Sequence, residues 1–290
     1  MPRTPLPWQC RDRWLVTGPR TLVMGILNLT PDSFFDGGKW TDPDAAVSHA
    51  LTMARDGADI IDLGGESTRP GAQPVPPDVE LERVMPVLRR LRMVAPDLVI
   101  SVDTRRGIVA RAALEAGAHI INDVSALSDP ETVAAVAEYG AGVVLMHMQG
   151  EPATMQDHPQ YADVTREVVE FLRHRMAAVE RLGVRRDCIV LDPGIGFGKT
   201  PAHNLQLIRD LPALVRLGRP VLIGVSRKSI VGHLTGRPVQ QRLPGTLALT
   251  TIAVLRGASI VRAHDVRETC DALRVTDRML AEVCDALDVD

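Results

Sequence analysis

The chain has 290 residues, 45% hydrophobic and 24% charged, enough for a large core in one α/β barrel or in two smaller domains. Its formal net charge of −3, with basic residues spread along the chain, leaves no electrostatic footprint for nucleic acid or for an anionic membrane. Four cysteines (Cys10, Cys188, Cys270, Cys284) without CxxC spacing argue against metal or disulfide roles, and the Pro- and Arg-containing start lacks the apolar stretch of a signal peptide. The most apolar later stretch, 245–261, is broken by Arg256 and Gly257, so the expectation is a cytoplasmic protein with no bilayer span.

Residues 1–20 read as a polar lead that holds Trp8 and Trp14. From there on, short aliphatic runs alternate with longer amphipathic ones. The pattern predicts strands at 22–27, 59–63, 98–102, 119–121, 142–146, 189–191, 221–224 and 259–262. Helices are expected between and after them, at 44–55, 79–93, 108–115, 131–139, 164–182, 204–211, 243–255 and 266–287. Such an alternation predicts a single (β/α)8 TIM barrel over residues 21–290 with its active site at the C-terminal ends of the strands; an open doubly wound sheet is the alternative. The Gly-Ala turns at 56–59, 116–119 and 140–142 read as helix C-caps that feed the next strand.

The strands end in polar residues. In order these are Asn28; Glu66, Ser67, Thr68 and Arg69; Asp103; Asn122 and Asp123; His147; Asp192; Ser226, Arg227, Lys228 and Ser229; and Arg262 with His264. One such end is readily a helix cap, but a full set in register is how a barrel presents a site. The sixth strand surfaces into Asp192-Pro193-Gly194-Ile195-Gly196-Phe197-Gly198-Lys199-Thr200. This is no P-loop, because Pro193 stands where the first glycine belongs, and it lacks the third glycine of a dinucleotide fingerprint. What remains is a carboxylate beside a loop whose glycines let a flat ligand approach backbone.

Asp103, Asn122 and Asp192 offer acceptors and one amide donor set, which suits a planar heterocycle with N–H edges such as a 2-amino pyrimidinone. Arg262 and His264, two apart on the last strand and its exit, share a face next to Asn28 once the barrel closes, an oxyanion corner for a phosphate group and a Mg²⁺ that keeps several waters. Ser226 to Ser229 open a helix where a carboxylate or phosphate is favoured, and Lys228 is placed to reach into the barrel. The loops at 30–38 and 68–74 read as lids over a second substrate.

These motifs together resemble the dihydropteroate synthase family. The resemblance runs from about Leu22 to the C-terminus and rests on Met24-Gly25-Ile26-Leu27-Asn28-Leu29-Thr30-Pro31-Asp32-Ser33-Phe34, Asp62-Leu63-Gly64-Gly65-Glu66-Ser67-Thr68-Arg69-Pro70-Gly71, Ser101-Val102-Asp103-Thr104, Ile121-Asn122-Asp123, Leu145-Met146-His147-Met148, the Asp192 loop, Ser226-Arg227-Lys228-Ser229 and Arg262-Ala263-His264. It implies a homodimeric barrel that joins 7,8-dihydropterin-6-ylmethyl diphosphate to 4-aminobenzoate, releases pyrophosphate with Mg²⁺, and is a target of sulfonamides. On the matching positions, Asp103, Asn122, Met146, Asp192, Phe197 and Lys228 would hold the pterin. Asn28, Thr68, Arg262 and His264 would hold the diphosphate, with Asn28 as the metal ligand. Phe34, Thr68, Arg69, Pro70, Lys228 and Ser229 would surround the aminobenzoate, while Asp103, Asp192, Lys228 and Arg262 would carry the catalysis. One departure stands in the first loop, where Phe35 precedes Asp36-Gly37-Gly38 in place of the family's usual Ser. A pterin-dependent methyltransferase and a catalytically silent pterin binder are the rival readings.

Overall fold

The computed structural model describes residues 4–30, 42–69 and 71–285. The expected polar lead is instead a β-hairpin, β1 (Leu6–Cys10) antiparallel to β2 (Arg13–Thr17), with Trp8 facing Leu15 and Cys10 facing Arg13. Trp8 and Cys10 are fully buried, and the Trp8 indole donates to the Cys188 carbonyl at 2.8 Å.

The barrel follows in chain order. Its elements are β3 (Leu22–Asn28), α1 (Pro43–Arg55), β4 (Ile60–Gly64), α2 (Pro77–Val94), β5 (Val99–Asp103), α3 (Gly107–Glu115), β6 (Ile120–Asp123), α4 (Pro130–Tyr139), β7 (Gly142–Met146) and α5 (Val164–Arg181). Then come β8 (Ile189–Asp192), α6 (Pro201–Arg209), α7 (Pro212–Val215), β9 (Leu222–Ile223), α8 (Ser229–Thr235), α9 (Leu243–Leu255), β10 (Ile260–Ala263) and α10 (Val266–Asp285). Several helix starts are set by side chains: Asp42, Asp129, Asp163 and Thr200 each accept a first-turn backbone N–H, and α1, α4 and α6 carry proline at the start, where its missing N–H costs nothing. Gly140 closes α4 in the left-handed conformation, as the Gly-Ala turn predicts.

The strands are parallel in the order β8-β7-β6-β5-β4-β3-β10-β9, and a bridge between Leu191 and Val221 joins the two ends. This is the TIM barrel, and the open sheet is excluded. Side chains that point outward, such as Val23, Ile61, Ile100, Ile121, Val143 and Val261, pack under the helices. Those that point inward change character along each strand. At the N-terminal end Met24, Ile60, Val99, Ile120, Val144, Val190, Leu222 and Ile260 form one apolar cluster with Trp8 and Cys10, so the hairpin plugs that end of the barrel. Two residues further along, the same inner face carries Asp62 after Ile60, Asn122 after Ile120, Asp192 after Val190 and Arg262 after Ile260. Because strand parity is two, the polar layer is stacked directly on the apolar one.

Candidate functional site

A cavity of about 510 Å³ opens at the C-terminal mouth of the barrel. Its wall includes Asn28, Thr68, Arg69, Asp103, Phe197, Lys228, Ser229, Arg262 and His264, nine of the residues picked out from the sequence. Asn122, Met146 and Asp192 are not on that wall; they are buried strand-end residues behind it, exposed by 6%, 4% and 7%. Phe34 and Pro70 lie outside the described residues, as does most of the first lid.

The last barrel strand delivers Arg262 into the mouth. The sequence assigned this guanidinium to an oxyanion corner, but its first partners are carboxylates: Nε donates to Asp62 at 2.7 Å and a terminal nitrogen donates to Asp103 at 2.8 Å. Asn122 donates to the same Asp62 oxygen at 3.0 Å. Burial pulls the Arg262 guanidinium toward neutrality, but Asp62 and Asp103 outweigh it and hold it firmly charged. Burial also drives the Asp103 carboxyl up, to about 7, against the pull of Arg262. Asp192 is likewise raised by burial and opposed by Lys228 and by the Gly194 N–H, which donates to it at 2.7 Å.

Lys228 precedes α8, lies over the Phe197 ring at 4.6 Å and donates to the Ile195 carbonyl. Burial lowers its ammonium to about 8, with Asp192 pulling the other way. It thus belongs with the Asp192 loop at the mouth. His264 is set by Ser226. The Ser226 hydroxyl accepts the His264 backbone N–H at 3.1 Å and lies 2.9 Å from the ring Nδ1, which turns Nε2 away from Ser226. Burial, then Arg262, lowers this imidazole to about 3, so His264 is a neutral ring near pH 7.

The Gly-rich loop differs in one respect from its sequence reading. Gly194 and Gly198 have positive φ, and a Cβ on them would come within 1.9 Å of the His147 carbonyl oxygen and 2.3 Å of the Gln149 carbonyl oxygen. These two glycines serve the close approach of the protein's own backbone. Only Gly196 of the three reaches the cavity wall. Lys199 locks the loop from behind: its Nζ donates to the Phe197 and His147 carbonyls at 2.9 and 3.2 Å and lies 3.0 Å from His147 Nδ1. His147, expected at the mouth, packs instead edge-on against Phe171, away from the cavity wall.

The loop after β4 is braced through Glu66, which lines the cavity, by arginines that do not. Glu66 accepts from Arg105 at 3.3 Å, from Arg106 at 2.7 Å and from the Val75 N–H at 3.1 Å, while Arg106 also pairs with Glu80 and donates to the Val75 carbonyl. The sequence named Glu66 and Ser226 only as polar strand ends, with Ser226 opening a helix where an anion is favoured; it assigned no role to Arg105, Arg106, Glu80, Asp62 or Lys199. The signal for Asp62 and Ser101 was the inner-face parity of their strands; the brace has no such local signal.

A closed parallel barrel that gathers buried carboxylates, a guanidinium, an ammonium and a neutral histidine at its C-terminal mouth is an enzyme for a small, polar, anionic substrate. A model of the pterin binding enzyme family matches residues 24–264, and the chain belongs to that family. It is 47% identical over 259 residues to the dihydropteroate synthase of Escherichia coli K12, covering 89% of this chain and 92% of that one. It is 46% identical over 264 residues to the dihydropteroate synthase of Synechocystis, covering 90% and 91%. Among solved structures, that of the Yersinia pestis dihydropteroate synthase with a sulfonamide drug superposes with a TM-score of 0.91 at 43% identity over 96% of this chain and 100% of that one. The Xanthomonas albilineans enzyme in complex with 7,8-dihydropteroate gives 0.83 at 44% identity, over 95% and 98%.

Proposed function

We propose that the chain is a transferase that condenses 7,8-dihydropterin-6-ylmethyl diphosphate with 4-aminobenzoate to give 7,8-dihydropteroate and pyrophosphate, a step of folate biosynthesis. The observation that carries this reading is the joining of Asn122, Asp103 and Arg262 into one hydrogen-bonded floor through Asp62, beside a wall that holds Asn28, Thr68 and His264. The carboxylates and the Asn122 amide match the donor-rich edge of a pterin, with Met146 and Phe197 on its faces. Lys228 and Asp192 complete that side. Arg262, the Thr68 hydroxyl and the neutral His264 ring serve the diphosphate, and the Arg69 guanidinium and the Ser229 hydroxyl serve the carboxylate of aminobenzoate; Phe34 and Pro70, outside the described residues, are the remaining aminobenzoate positions.

The C–O bond breaks first and its electron pair leaves with the diphosphate, whose developing charge Arg262 stabilises. Asp103 and Asp192 stabilise the cation left on the pterin methylene. The lone pair of the neutral arylamine then forms the C–N bond, and the anilinium proton passes to a pyrophosphate oxygen or to water. No side-chain nucleophile is required. Among the described residues no group of three or more His, Cys, Asp or Glu is arranged to hold a metal ion. Asn28 lies on the cavity wall, and its amide oxygen is a hard donor that would hold a Mg²⁺ carried in on the diphosphate; such an ion would neutralise the leaving group.

Sulfonamides, which copy the aminobenzoate ring, would compete at the Arg69 and Ser229 end. Two copies would associate through α9 and α10, where Ile252 and Leu255, and Val275 and Met279, leave apolar side chains exposed on adjoining helices. The free buried thiols of Cys10, Cys188 and Cys270 suit a reducing cytoplasm, and no helix among the described residues is long and apolar enough to cross a membrane.

The test is to incubate the purified protein with both substrates and Mg²⁺ and to follow dihydropteroate and pyrophosphate. Formation of both in equal amounts is expected. Pterin binding without transfer would leave the silent-binder reading, and methyl transfer the methyltransferase one. Leu255→Arg should convert a dimer to a monomer by light scattering.

A further inference from the structure

Asp62 touches both halves of the site. It stands on the inner face of β4, is fully buried and does not line the cavity. One oxygen, Oδ2, accepts both from Arg262 Nε at 2.7 Å and from Asn122 Nδ2 at 3.0 Å. The other, Oδ1, has no hydrogen-bond partner among the described residues, and neither does the hydroxyl of Ser101, its register neighbour on β5. A carboxylate oriented to satisfy itself would use both oxygens. This one loads two donors onto a single oxygen and leaves the second unpaired in a place where that is costly.

The arrangement has two chemical results. A carboxylate only accepts, so the amide nitrogen of Asn122 must face Asp62, and the polarity that Asn122 offers to a ligand is fixed. Arg262 is held at Nε by Asp62 and at a terminal nitrogen by Asp103, which sets the plane of the guanidinium and leaves its remaining edge for an anion.

We infer that Asp62 is a positioning residue for the transfer: it holds the Asn122 amide and the Arg262 guanidinium in one fixed relation, so that heterocycle and departing diphosphate are gripped in register. This rests on the pterin and diphosphate subsites proposed above.

Two probes measured separately test it, 6-hydroxymethylpterin for the Asn122 side and inorganic pyrophosphate with Mg²⁺ for the Arg262 side. Asp62→Ala removes the shared acceptor and should weaken both by about tenfold or more, the size of one charge-assisted hydrogen bond, at temperatures well below its Tm. Asp62→Asn keeps the volume and can turn its amide oxygen to both donors, so it should recover most of both affinities. A residue that merely supports the fold would lower Tm and leave both affinities alone. Asp62→Ala affinities within about twofold of native for either probe would therefore overturn the inference. Should Asp62→Ala not fold, Asp62→Ser, too short to reach both donors, carries the same two measurements. The two claims fail differently: a native protein that binds neither probe sinks the functional reading and this inference with it. One that binds both, alongside an unimpaired Asp62→Ala, sinks only the role of Asp62.

Discussion

In the proposed reaction Asp103 acts as an anion, in a place that resists charge. Burial lifts its carboxyl to about 7, and Arg262 at 2.8 Å only partly offsets that. Since it must be ionised to accept a ring N–H and to face a developing cation, kcat/KM for the pterin substrate should rise with pH through about 7. Asp103→Asn should remove that limb along with most of the rate, and a native profile that is flat across this range would refute the assignment. The stability sign is opposite. A carboxyl whose folded value is raised above 3.8 contributes stability below that pH and loses it as pH rises through about 7. Asp103→Asn should accordingly be more stable than native at pH well above 7 while being far less active. Asp103, Asp192 and Arg262 were legible in the sequence because each stands where an aliphatic run gives way to a polar residue. Asp62 was not, since in Ile60-Ile61-Asp62-Leu63-Gly64 it lies inside the run, and only counting two from the inward Ile60 places it among the site residues. Gly194 and Gly198 misled in the other direction, because a glycine that clears a ligand and one that clears a neighbouring carbonyl look alike in sequence.

At the scale of elements, the strand and helix periodicities carried most of the barrel, because buried parallel strands are short aliphatic runs and most helices open on a capping side chain or a proline, α3 and α8 having neither. Two elements escaped. Helix α7 is a single short turn, too brief for any period to show. The N-terminal hairpin escaped because its buried residues, Trp8, Cys10 and Thr17 with the half-buried Leu15, sit among Gln9, Arg11, Asp12 and Arg13, which make the segment look polar. Its packing argues that it stabilises the barrel without entering the chemistry. Trp8 belongs to the apolar layer with Ile120 and Val190, at the far end from the cavity, and Gly142 has no Cβ because one would sit 2.7 Å from the Cys10 sulfur. Trp8→Ala should cost about 3–5 kcal/mol through lost burial and the cavity it leaves, with the Cys188 carbonyl losing its donor as well. That corresponds to a fall in Tm on the order of 10 °C for a chain of this size. Below the new Tm, kcat and KM should match native values. A parallel loss of activity in the folded variant would show that the plug reaches the mouth.

For the molecule as a whole, the buried ionisable groups pull stability in opposite directions as pH falls. Asp103 at about 7 and Asp123 at about 6 are raised by burial and so favour the fold at lower pH. His119 at about 4, and His147 and His264 at about 3, are lowered by burial, so their contribution is present above 6.5 and is lost as pH falls toward those values. A melting curve against pH therefore reports a partial cancellation, and a single group must be read as a difference. His119 is the group to choose, because it lies between β5 and β6 outside the site. Its Nδ1 accepts the Ile100 N–H at 3.1 Å, and protonating that nitrogen would break the bond. Arg92, 3.5 Å from Nε2, further disfavours the charged ring. His119→Asn keeps an acceptor oxygen near the Nδ1 position and cannot be protonated there. Its loss of packing makes it less stable than native at pH 8, but the gap should narrow steadily below 6.5, by on the order of 3 kcal/mol once the pH has fallen to about 4. Thermal melts of both proteins at several pH values measure that gap directly. If it stays constant from pH 8 down to about 4, the neutral His119 is not among the groups through which acid unfolds the barrel.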